Sequence, residues 1–86
     1  MKYLRSGDID YQISEFISDY INTFLHINKI SRRQLGEDLN ISYAEISRML
    51  TGHKIIPLSF IMKFKHQYNI NLFELIINDS DINILM

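Results

Sequence analysis

The sequence predicts an all-α fold of five helices, and three observations carry that expectation. From Ile13 onward, apolar side chains recur at 13, 16, 17, 20, 21, 24 and 25, the i, i+3, i+4 rhythm of a helix with one buried face. Three later segments open on the same start signal, a Ser or Asn followed three residues on by Gln or Glu. Between the segments stand Asn and Gly, the residues that enter the left-handed conformation most readily and so end helices.

The first helix is expected over about 10–27, with Asp8 and Asp10 as candidates for its cap. The second starts at Ser31 and runs over 31–39. The third starts at Ser42 and runs over 42–51. The fifth starts at Asn71 and covers 71–78. At each of these three starts the cap oxygen can accept from an orphan N–H. Gln34, Glu45 or Glu74 can then reach back to the cap N–H in a capping box. Ile30, Ile41 and Ile70 precede the caps, and Leu35, Ile46 and Leu75 follow four residues after them, as a hydrophobic staple requires. Asn40, Gly52 and Asn69 mark the stops. The fourth helix, 57–68, is expected to open on Pro57, whose missing N–H is harmless there. Leu58, Ile61, Met62, Phe64 and Tyr68 supply its apolar side.

At 86 residues the chain makes one domain, 1–86, with a core over 10–78, an arm over 1–9 and a tail over 79–86. Its 47% hydrophobic and 22% charged content excludes a disordered chain. There is no Cys, so no disulfide can form, and His26, His53 and His66 lack metal-ligand spacing, so no metal is expected. No apolar run approaches the ~20 residues of a membrane span, and the N-terminus lacks a signal-peptide core. A cytoplasmic protein without membrane contact is the expectation. Ser and His occur without a strand–turn–helix elbow or a Gly-rich cradle, so neither catalysis nor a small-molecule cofactor is expected.

The net charge of −1 conceals an uneven distribution. Residues 1–28 carry two bases and four acids, residues 29–66 seven bases and three acids, and residues 67–86 three acids and no base. The middle is therefore +4 between ends of −2 and −3. A phosphate backbone responds to such a local basic patch and not to the whole-chain balance.

Two short helices joined by a turn of about three residues have helix-turn-helix spacing. Residues 30–52, ISRRQLGEDLNISYAEISRMLTG, together with Tyr68-Asn69-Ile70-Asn71-Leu72-Phe73-Glu74-Leu75, resemble the lambda-repressor-like (Cro/C1, XRE-type) helix-turn-helix family. The resemblance spans 30–75, slightly over half the chain. In that pattern Gly36 takes a small-residue position where the second and third helices meet closely. Leu35, Leu39, Ile41, Ile46 and Met49 form the small core that sets their angle. The family's turn Gly is Asn40 here, and its Gln at the start of the second helix is Arg32. Its Arg–Glu pair between the first and third helices falls on Leu25 and Leu50, apolar at both ends, a joint replacement that costs little. Pro57 falls one place late, and Lys65 stands where the family often has Ala.

The resemblance implies sequence-specific binding of double-stranded DNA by a prokaryotic or phage transcriptional regulator of repressor type, acting as a homodimer. The third helix then lies in the major groove, with Tyr43, Ala44, Ser47 and Arg48 at the base edges. Arg48 can donate twice to a guanine, and Tyr43 or Ala44 can meet a thymine methyl. Ser31, Arg32, Arg33, Ser42, Thr51, His53 and Lys54 are the expected phosphate contacts, with Lys29, Lys63 and Lys65 as weaker ones. Glu45 is assigned to the cap. A protein-interaction module on the same fold, such as an antitoxin-like or adaptor protein, is the alternative. Four apolar tail residues, Ile82, Ile84, Leu85 and Met86, are expected to join the fifth helix in building the homodimer, with folding back against Tyr3 and Leu4 as the rival.

Overall fold

A computed structural model of the chain describes residues 9–78. They form five helices: α1 Ile9–Asn28, α2 Arg32–Leu39, α3 Tyr43–Leu50, α4 Leu58–Tyr68 and α5 Leu72–Asn78. No strand occurs among the described residues, and the all-α expectation holds, with each boundary within one residue of its expected place. The expectations for Asp8, the N-terminal arm and the apolar tail lie outside the described residues. Among the described residues no helix is long and apolar enough to cross a membrane.

The caps explain why these segments begin and end where they do. Ser31 Oγ accepts from Gln34 N at 3.0 Å, and Ser42 Oγ accepts from Glu45 N at 3.2 Å. In these two the reciprocal half of the expected capping box is replaced by another bond. Gln34 Nε2 donates to Asp38 Oδ1 one turn ahead, and the Glu45 carboxylate turns to Lys54. A long polar side chain takes a charged partner in preference to a backbone N–H that water can satisfy. At the fifth helix Asn71 Oδ1 accepts from Phe73 N at 3.0 Å, two residues on, as in an Asx turn.

Four helices end on residues with positive φ: Lys29, Asn40, Gly52 and Asn69. After α1 the Ile30 N–H reaches Leu25 O and the Lys29 N–H reaches His26 O. The same pair of bonds recurs at Ile41 and Asn40 after α2, and at His53 and Gly52 after α3. These are Schellman ends, which return orphan carbonyls to a partner. Asn40, Gly52 and Asn69 were expected in this role, whereas Lys29 was not. Pro57 stands one residue outside α4 in extended conformation, and its carbonyl accepts from Phe60 N. It therefore precedes the helix instead of occupying the first turn.

Helix α1 packs against α3 and α5, α2 against α3 and α4, and α4 against α5. One apolar core joins them. Ile17, Ile21 and Leu25 are its contribution from α1, flanked by half-buried Ile13, Phe16, Tyr20 and Phe24. Leu35, Leu39, Ile46 and Met49 are buried as expected, Ile41 is half-buried, and Leu25 and Leu50 both lie in the core. The apolar side of α4 differs from the expectation. Phe60, Ile61 and Phe64 face inward, whereas Leu58 and Met62 are 59% and 61% exposed. With apolar residues around most of α4, periodicity alone leaves the buried face undetermined, and the two phenylalanines, four residues apart, take it.

Gly36 packs against backbone. A Cβ there would stand 2.6 Å from Ile41 O and 3.5 Å from Ile46 Cγ1. The small residue is therefore required by the turn itself, with α3 a second and looser constraint.

Candidate nucleic-acid interface

The turn of Asn40, Ile41 and Ser42 separates α2 from α3, and the two helices pack directly on one another. Their buried sides are apolar, so their remaining sides present the polar residues singled out above. Ser31, Arg33, Ser42, Tyr43, Ala44, Arg48, Thr51, His53 and Lys54 are exposed, and Arg32 and Ser47 are half-buried.

Contacts within this set divide it into three parts. The Arg33 guanidinium lies 4.9 Å from the centre of the Tyr43 ring, a cation–π contact that ties the first turn of α2 to the start of α3. Tyr43 remains 47% exposed. At the other end of α3, Thr51 Oγ1 donates to Ser47 O at 2.7 Å and lies 2.9 Å from His53 Nδ1. Lys54 pairs with Glu45. That hydrogen bond, assisted by the charges of Lys54 and Arg48, holds the Glu45 carboxyl below its ordinary value. Glu45 is thus neutralised by Lys54 and does not cap α3. Among the described residues the Arg48 carbonyl accepts from His53 N, but its guanidinium forms no hydrogen bond or ion pair and is available.

No family model, curated protein or solved structure matches this chain. The chemistry of the surface must therefore speak for itself. The first turn of α2 holds Arg32 and Arg33 and no acid. A helix N-terminus carries a partial positive charge and favours anions, so two cations there oppose the dipole. Arg32 Nη2 donates to Asn22 Oδ1 at 3.3 Å, and Asn22 Nδ2 donates to Leu50 O at 3.1 Å. Among the described residues no three His, Asp or Glu side chains gather as a metal site would require.

Sequence reasoning missed Asn22, and one signal could have found it. Ser18, Asn22 and Leu25 share one row of α1, and both Ser18 and Leu25 are buried. A polar residue on such a row needs partners. Ser14 was missed for the same reason: its Oγ accepts from Ile56 N at 2.7 Å and pins the loop after α3 to α1. Tyr68 OH donates to Asp38 Oδ2 at 2.8 Å, joining α4 to α2. Burial, and then the Asp38 hydrogen bond, raise the Tyr68 hydroxyl well above its usual value.

Proposed function

We propose that the chain binds double-stranded DNA in a sequence-specific way as a helix-turn-helix transcriptional regulator of the repressor type. One observation carries the reading: two arginines occupy the positive end of α2, where isolated stability would favour acids. Such a placement is costly in the free protein and becomes favourable when an anion sits there. A DNA phosphate, reached by backbone N–H groups and by both guanidinium groups, meets that requirement.

The neighbouring features agree with it. A short turn with left-handed Asn40 and the close approach of Gly36 to Ile41 suit the helix-turn-helix arrangement. Helix α3 offers a mixed reading edge of an aromatic ring, a methyl, a hydroxyl and an uncommitted guanidinium. In this mechanism α2 and the 51–54 loop fix the register on phosphates. Tyr43, Ala44, Ser47 and Arg48 of α3 then read base edges in the major groove. Occupancy of an operator blocks the adjacent promoter. A homodimer, with Phe73 and Ile77 of α5 exposed for pairing, places two such helices on half-sites about 34 Å apart.

Selection of bound molecules from a random duplex pool tests the reading. Enrichment of one palindromic sequence supports it. Recovery of unselected DNA, or of none, contradicts it and favours the protein-interaction module for which exposed Leu58 and Met62 would be the contact.

A further inference from the structure

We infer that Asn22 is a positioning residue for this interface: it holds Arg32 at the start of α2 and couples it to the last turn of α3. The inference rests on the DNA-binding reading above. Its basis is a single amide on α1 that serves both sides of the proposed site. The Asn22 oxygen accepts from Arg32 Nη2 at 3.3 Å, and the Asn22 amide nitrogen donates to Leu50 O at 3.1 Å. Leu50 is the last residue of α3, and its carbonyl is among the helix-end acceptors left without an intrahelical donor.

Arg32 has five N–H donors in a planar fork. Asn22 occupies one edge and leaves the others for a phosphate. Without that anchor, a guanidinium at the positive end of a helix would swing into solvent, away from the dipole. Fixing it beforehand removes the ordering cost that a mobile side chain meets on binding. The same amide also fixes the end of α3, so the phosphate contact and the reading helix keep one relative placement.

Neutral Asn suits this role better than an acid would. Asp at the same position would pair with Arg32 and place a negative charge beside the incoming phosphate.

The test is a double-mutant cycle on the full chain, using the selected operator duplex and fluorescence anisotropy. Asn22→Ala should weaken binding about tenfold and lower the salt slope towards that of Arg32→Ala, one phosphate contact fewer. In the Arg32→Ala background the same substitution should change affinity by less than about threefold. A purely structural Asn22 would instead weaken binding equally in both backgrounds, and that result overturns the inference. So does an unchanged affinity for Asn22→Ala alone. Urea unfolding of each variant confirms that the compared proteins are folded, and Asn22→Ser replaces Ala if Ala does not fold. Failure of the wild-type chain to bind any duplex overturns the DNA reading itself and is distinct from these outcomes.

Discussion

Two regions of this molecule are held together in different ways. On the α1–α4 side, aromatic rings do the packing. Phe64 lies 5.4 Å from Phe24, 6.1 Å from Phe60 and 4.9 Å from Tyr68, centre to centre, and is fully buried. On the α2–α3 side the decisive contact is between backbones, with room at Gly36 for a hydrogen and no more. The ring cluster is specified by volume, so it tolerates a change of shape better than a loss of mass. The turn is specified by the absence of an atom, so even the smallest side chain disturbs it.

The largest expected effect breaks the volume side. Phe64→Ala should cost about 3–5 kcal/mol of stability in urea unfolding, and Phe64→Leu clearly less. If the two cost the same, the rings do not fill space as described.

Next comes the turn. Gly36→Ala should destabilise by about 1–3 kcal/mol, as overpacking does, although Ala is the better helix former by about 1 kcal/mol. Gly36→Ser should fare no better. A stabilised Gly36→Ala would show that the Ile41 carbonyl moves freely, and the contrast between the regions would collapse.

A third substitution sharpens the difference between core and surface. Arg48→Ala should leave stability within about 0.5 kcal/mol. It should also weaken operator binding by about 1–3 kcal/mol and relax preference at one base pair per half-site. An equal loss on every duplex would place Arg48 on a phosphate.

The smallest effect is one of pH. The folded-state pKa of Glu45 is lowered from 4.5, so its pairing with Lys54 contributes above that value and is lost as pH falls through the folded one. The difference in urea midpoint between wild type and Lys54→Met should therefore shrink as the solution is acidified from neutral to below pH 4. A constant difference would show that the pair makes no contribution through charge.

What the chain declares in advance follows the same division. Ser31, Ser42, Asn40, Gly52 and Asn69 act within a few residues of themselves, and their roles were legible from local pattern. Gly36 was legible as a close approach, though its partner proved to be the turn. Lys29 hides its left-handed turn because Lys has no special claim on that conformation; the bonds from Ile30 and Lys29 impose it. Phe60 was missed, and Leu58 and Met62 misplaced, because an apolar surround blurs the helical period. The candidate surface was legible as a set of exposed cations and hydroxyls. Its internal contacts were not, because Arg32–Asn22, Arg33–Tyr43 and Lys54–Glu45 join residues about nine or ten apart across turns, where spacing says nothing about partners.

The central claim is that the positive ends and loops around α2 and α3 seat a DNA backbone. The direct measurement is the affinity of the full chain for duplex DNA as salt is raised from about 50 to about 200 mM. The account predicts a straight log–log line with a slope of about −3 or steeper per bound protomer, flattened by about one unit in Arg33→Ala. An affinity that stays level across that range, or a slope unmoved by Arg33→Ala, would contradict it.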